Sequence, residues 1–247
     1  MSRILVVLSM FVGLGAPAFA QDPPKEWVGE GAFNAGTTQG NTHTTDVGAG
    51  LKLKHTAGHW AQSAEISGDY GKINGVETKN RIFAAGEFDY LINDRLSAYG
   101  RLSAEKDDFS GFDARYYAGV GVGYQVINQE NMQWALQGGV GYKVDQVALR
   151  RVSPTVTVPK STEESFSVQA ASRFKYKIND KVALTNDTDV LYSDTSTQTR
   201  NIVALTVDLM GNLQARMSYD IRNESNPPVG FKATDTATKF SLVYKIG

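Results

Sequence analysis

From Ala118 to Tyr142, apolar side chains recur at every second position, and glycine or a polar residue fills each gap. The same alternation returns along the chain in segments bounded by turn residues, the pattern of strands with one apolar and one polar face. Where the charges fall constrains the fold most. In residues 78–91 one parity carries Ile82, Ala84, Phe88 and Tyr90, and the other carries Lys79, Arg81, Glu87 and Asp89. In residues 235–246 Phe240, Leu242, Tyr244 and Ile246 alternate with Lys239 and Lys245. Lys106, Glu164 and Asp194 have the apolar parity but lie where strand gives way to connector. One face of the sheet therefore excludes charge, and it lies against either a second sheet or lipid.

The aromatic residues separate these alternatives. Trp27, Trp60 and Trp134 share the apolar parity and begin strands at one end, joined there by Tyr90, Tyr124, Tyr176 and Tyr244. Tyr70, Tyr116, Tyr142, Phe166 and Tyr192 mark the opposite end, with mostly Ala, Val, Leu and Gly between. Two aromatic girdles around an aliphatic band fit a bilayer, where amphipathic rings settle at the headgroups, whereas a sandwich core places its large rings in the middle. Twelve alternating segments are found, at 27–36, 42–54, 59–70, 78–91, 95–105, 115–127, 132–144, 165–178, 181–192, 199–209, 212–222 and 235–246. Most are near the roughly 9–11 residues that a tilted strand needs to cross a membrane. The expected fold is all-β: a transmembrane antiparallel up-and-down β-barrel of 12 strands.

The connectors alternate in length. HTAG, IND, NQEN, ND and MGN are tight, while GKINGVE, KDDFSGFDA, DQVALRRVSPTVTVPKSTEE and ESNPPVGFKAT are longer. In outer-membrane barrels short turns face the periplasm and long loops the exterior. INDR at 92–95 and INDK at 178–181 are near-copies in equivalent turns, which reads as shared turn chemistry.

Arg3, an apolar run from Ile4 to Leu14 and Ala18-Phe19-Ala20 before Gln21 form a secretory signal peptide over residues 1–20, with cleavage expected after Ala20. Residues 21–247 then form one domain, a barrel in the cell outer membrane of a Gram-negative envelope. The chain has no cysteine, which excludes disulfides, thiolate metal sites and a lipid-modified N-terminal cysteine. A net charge of −1 offers no basic excess for nucleic acid. No cofactor or metal is expected. The expected surroundings are outer-membrane lipid and lipopolysaccharide, with the barrel-assembly machinery as the partner in biogenesis and a monomer as the final state.

WVGEGAFNAGTTQGNT near the mature start and FDYLINDRLSAYGRLSAEKDDFSGFDARYYAGVGVGY further on resemble the YdiY-like family of salt-induced outer-membrane proteins. The likeness covers nearly all of the mature chain, and its most specific parts are the GNT turn and the pattern DxFxGxDxRxxxGxGxGY from Asp107 to Tyr124. It implies an envelope barrel linked to osmotic or salt stress, with no assigned biochemical role. It also implies that Arg115 belongs to a structural network at the rim. The basic, proline-bounded insertion around 148–160 and the terminal YKIG depart from the family pattern.

An enzyme would need a nucleophile and a base at one rim, and the chain offers three histidines, His43, His55 and His59. His43 with Ser110 or Ser193 is the constellation to test for a lipid-modifying enzyme, although a polar residue at headgroup level is the plainer reading of each histidine. Asp107, Asp108 and Asp113 do not match a calcium loop and read as a solvated acidic connector, with Arg115 bridging to Asp113 or Glu105. The lumen is the better place for function. Arg81, Glu87, Arg95, Arg101, Arg115, Arg173, Lys175 and Arg216 are expected to line it, with Phe83, Tyr99 and Tyr117 as bulky exceptions. Gly119, Gly121, Gly123, Gly139 and Gly141 leave one wall bare, so that either a narrow passage remains or opposing side chains or an inserted loop fill it.

A small-solute, porin-like pore would favour anions through its arginines and Lys175; an envelope-structural barrel would not conduct. If the lumen is wet, Gly121→Arg should be tolerated far better than Val122→Arg. The fourth outer connector is expected to pack partly over the mouth, with its TVTV segment extending the strand pair above the membrane.

Overall fold

The structure, a computed structural model, describes residues 26–39, 44–73, 76–151 and 157–247. The expected signal peptide, the GNT turn, His43 and residues 152–156 of the fourth outer connector lie outside them. Twelve long strands close a barrel. They are β1 (Glu26–Gln39), β2 (Thr44–Ala57), β3 (Trp60–Ile73), β4 (Val76–Leu91), β5 (Leu96–Asp107), β6 (Phe112–Asn128) and β7 (Met132–Val147), then β10 (Ser161–Asn179), β11 (Val182–Ser193), β12 (Thr197–Met210), β13 (Leu213–Glu224) and β14 (Thr234–Ile246). Each pairs antiparallel with the next, and β1 pairs with β14 to shut the ring, which leaves no open edge. Two short strands, β8 (Arg150–Arg151) and β9 (Thr157–Val158), form a separate hairpin between β7 and β10. The twelve-strand up-and-down barrel read from the alternation is the fold observed.

The pleat sends alternate residues outward and inward. Phe88, Leu102, Val120, Val122, Val140 and Leu242 stand exposed on the outer face, half or more of each surface uncovered. Trp27, Trp60, Tyr90, Tyr124, Tyr176 and Tyr244 ring the short-turn end, exposed on the same face. Trp134 sits half-buried among them and donates its indole N–H to Ser172 Oγ at 3.0 Å. Ring contacts reinforce this girdle: Trp60 meets Tyr90 edge-on at 5.0 Å, directly opposite it in register, and Trp27 stacks on His55 at 4.6 Å. At the other end Tyr142 meets Phe166 edge-on at 5.4 Å.

The strands run longer than the alternation indicated. β10 has 19 residues and β6 has 17, against the roughly 9–11 that a crossing needs. The surplus lies at the long-loop end, where GKINGVE, expected as a connector, is mostly strand, since β3 ends at Ile73 and β4 starts at Val76. Continued pairing satisfies backbone groups above the membrane as well as within it. Lys106, of ambiguous parity, falls at a register shift between Glu105 and Asp107 that turns it outward to Asp108, 3.2 Å away. The near-copies INDR and INDK do share their turn chemistry. Asn93 Oδ1 accepts from the backbone N–H of Arg95 and Leu96, both at 2.9 Å, and Asn179 Oδ1 accepts from Lys181 and Val182, also at 2.9 Å.

Candidate functional site in the lumen

The inward parity builds two chambers. The one toward the long-loop end has a volume of about 260 Å³, and the one toward the short-turn end about 700 Å³. Arg101 lines both, so its ion pair with Glu87, at 3.1 Å, stands where they meet. Gln137 holds the other oxygen of Glu87 at 3.1 Å.

A chain of ion pairs crosses the barrel beside the outer chamber, and part of it lines a smaller cavity of about 90 Å³. Lys239 on β14 meets Asp69 on β3 at 2.6 Å, and Asp69 also faces Arg81 at 3.6 Å and Lys79 at 3.9 Å. Arg81 binds Glu105 on β5, and Glu105 lies 4.0 Å from Arg222 on β13, six strands away in the ring and hence on the opposite wall. Arg222 and Arg200 then share Asp220, at 3.3 and 2.7 Å. Arg115 adds a second crossing: it binds Glu224 on β13, lies 3.3 Å from Asp145 on β7 and stacks its guanidinium on Phe112 at 3.7 Å. Asp145 and Lys143, both buried, pair at 3.0 Å. Glu105 therefore goes to Arg81 and Arg222, and Asp113 to Lys160 at 2.6 Å; neither takes Arg115 as the spacing suggested. Burial makes this network costly to break in part, because each remaining charge would be left unpaired.

The glycine wall is not bare. Tyr99, only 4% exposed, lies over Gly121 and Gly139, where an added Cβ would come within 2.6 Å of its hydroxyl. Tyr117 covers Gly119 and Gly141 in the same way and donates its hydroxyl to Gln169 at 2.9 Å. The wall is thus filled by rings from β5 and β6 themselves, not by opposing side chains or an inserted loop, and the glycines are the seats of those rings. One expectation is overturned: Gly121→Arg collides with Tyr99 and the β7 backbone and will not be the mild partner of Val122→Arg.

Among the described residues the mouth is covered by the sixth connector; residues 152–156 of the fourth, which was expected to pack over it, lie outside them. The described part of the fourth connector is the β8–β9 hairpin, with Arg150 opposite Val158 and Arg151 opposite Thr157, continuing upward from the Val147–Ser161 pair. Of the TVTV segment expected to extend the strand pair, Thr157 and Val158 are paired in this way, and Thr155 and Val156 lie outside the described residues. Over the chamber stands the sixth connector, residues 225–233, which contributes Pro227, Pro228 and Phe231 to its lining. Phe231 packs on Gly111, whose φ of +85° suits glycine, so that a Cβ there would meet the ring at 2.6 Å. Asn226 reaches Thr195 O at 3.2 Å, and Ser225 Oγ accepts from Thr197 N at 2.7 Å.

The short-turn chamber is less constrained. Arg216 grips Glu30 with two bonds of 2.7 and 2.6 Å, Lys52 faces Glu65 at 3.7 Å, and Arg173 binds Asp189. Lys54 on β2 and Lys175 on β10 line the chamber and, among the described residues, make no hydrogen bond or ion pair. Of the residues expected in the lumen, Arg81, Glu87, Arg101, Arg115, Arg173 and Arg216 are engaged in ion pairs, and Lys175 stands open in the chamber. Arg95 lies exposed in the turn before β5. Each of these arginines except Arg95 has its carboxylate, which leaves less free positive charge for anions than the sequence indicated. The parity that placed Lys175 inward also marks Lys54, which the sequence reading passed over.

The remaining chemical candidates have structural duties. Asp107 Oδ1 caps Phe109 N at 3.0 Å, and Asp108 takes Asn80 at 2.8 Å. Ser110 and Ser193 each donate to a backbone carbonyl at 2.9 Å, at the far end of the barrel from His55 and His59. His59 Nδ1 lies 2.8 Å from Leu91 O.

The chain matches the family described as "Protein of unknown function, DUF481" over residues 32–246, the family to which the pattern from Asp107 to Tyr124 pointed. No curated protein matches it. Among solved structures it is similar to the NanC porin, at 15% identity and a TM-score of 0.55, with 87% of this chain and 100% of that one covered. It is also similar to the translocator domain of the autotransporter NalP from Neisseria meningitidis, at 11% identity and 0.53, covering 88% of each chain. An outer-membrane channel from Pseudomonas putida is similar at 10% identity and 0.51, covering 91% of this chain and 96% of that one. What is shared at these identities is the fold of an outer-membrane barrel.

Proposed function

We propose, from the premise that this chain belongs to the DUF481 family of proteins of unknown function, that the barrel is a narrow pore for small polar solutes in the outer membrane. The observation that carries this is the pair of lumenal chambers meeting at Arg101 and Glu87. A barrel built only as a plug has no need of a 700 Å³ chamber with open lysines at one end. In this reading the short turns face the periplasm, the Arg101–Glu87 pair is the constriction, and the sixth connector narrows the outer mouth. Planar-bilayer recording of the purified protein tests it. Discrete conductance steps are expected, larger by several-fold when residues 226–232 are replaced by a short Gly-Ser turn. A silent protein, with or without that connector, would remove the pore.

The cross-barrel ion-pair chain supports a second reading, an envelope-structural barrel in keeping with the salt-stress role that the family resemblance implies. Such a barrel is monomeric, does not conduct, and its loss weakens the envelope under osmotic load. The lipid-modifying alternative rests on His43 with Ser110 or Ser193, and His43 lies outside the described residues.

A further inference from the structure

Resting on the pore reading, we propose that the short-turn chamber is a binding site for a small organic dianion, held between Lys54 and Lys175. Glu30 is occupied by Arg216, Glu65 by Lys52 and Glu87 by Arg101. Asp187, the remaining carboxylate of the lining, lies opposite Arg173 in register, but Arg173 binds Asp189, so Asp187 makes no direct ion pair among the described residues. Lys54 and Lys175 make no direct ion pair among the described residues; the carboxylate of Asp89 acts on Lys54, and those of Glu30 and Asp208 on Lys175, only at longer range.

These two lysines are not neighbours. β2 and β10 are six strands apart in either direction around the ring, so the ammonium groups approach the chamber from opposite walls. An ammonium is a compact point charge on a flexible stem, able to follow a ligand that moves through. Inside a barrel two cations that face one cavity without a direct partner attract anions more strongly than they would in bulk water. A ligand with two separated negative charges satisfies both at once, and a monoanion satisfies one. A dicarboxylate and a phosphate share this chemistry, but the separation of the walls favours the dicarboxylate.

The test is calorimetric titration of the purified, detergent-solubilised protein with succinate, inorganic phosphate and acetate. Succinate should bind most tightly, phosphate next, and acetate at least about tenfold more weakly than succinate. Lys54→Ala combined with Lys175→Ala should weaken succinate by about tenfold or more, while Lys54→Arg with Lys175→Arg should retain it, because the charge is kept. Both lysines are exposed to the chamber, so the variants should fold, and an unchanged unfolding midpoint in urea checks that they do. Binding should also fade as salt rises. Succinate bound no better than acetate, or bound equally by the double alanine variant, overturns the site. Because calorimetry needs no current, a protein that binds succinate but is silent in the bilayer removes the pore reading and leaves the site standing.

Discussion

The two halves of the lumen are made by the same strands and the same inward parity, yet they differ in what their charges accomplish. In the outer chamber the lining carries six basic residues (Arg101, Arg115, Lys143, Arg200, Arg222, Lys232) and six acidic ones (Glu105, Asp107, Asp145, Asp189, Glu224, Asp235), and the pairs among them reach from one wall to the other. The short-turn chamber has six basic residues (Lys52, Lys54, Arg101, Lys175, Arg216, Lys245) against four acidic ones (Glu30, Glu65, Glu87, Asp187). A balanced, buried set welds the walls together, whereas an unbalanced, open set leaves charge available to a solute. The outer half favours stability, and the proposed pore places its solute in the inner half.

The strongest way to break this contrast is to remove the hub of the outer network. Asp69→Ala leaves Lys79, Arg81 and Lys239 facing one another without their carboxylate, and should cost about 3–5 kcal/mol in urea unfolding of the detergent-solubilised barrel. Lys175→Ala, its counterpart in the other half, should change stability by less than about 0.5 kcal/mol. Equal losses from the two would erase the distinction. Next in size is a change on the shared outer face: Val122→Arg, exposed to lipid from a glycine-rich strand, should cost about 2–4 kcal/mol and lower the yield of folded protein in the membrane fraction. Insensitivity there would mean that the charge-free face does not meet lipid.

Smaller effects sharpen the boundary. Tyr117→Phe removes the hydroxyl that binds Gln169 but keeps the ring on its glycine seats, so the expected loss is about 1 kcal/mol with an unchanged chamber. A conductance change as large as that from trimming the sixth connector would instead make Tyr117 part of the constriction. Smallest of all, Lys160→Ala breaks a solvent-exposed pair with Asp113 above the rim and should cost under about 1 kcal/mol, shrinking further in high salt.

The sequence by itself determined that there is a barrel, how many strands it has and which face of each points outward and excludes charge. These properties are local: side chains alternate with period two along any strand, so the parity of Arg81 or Phe240 can be read from its neighbours, and the girdle residues from Trp27 to Tyr244 follow by position. Turn chemistry was equally local, as the two Asn side chains of the IND turns demonstrate. The tertiary structure decided everything that depends on closure. Parity makes Arg222 and Lys54 alike, and only the ring sets Arg222 against Glu105 on the far wall while leaving Lys54 without a direct ion pair among the described residues. Nor does spacing reveal that the glycines of β6 and β7 are seats for Tyr99 and Tyr117, or that Phe231 reaches back to Gly111 from more than a hundred residues away. Contacts across a lumen join residues of high sequence separation through the barrel's register and curvature, and no period within a single strand encodes them.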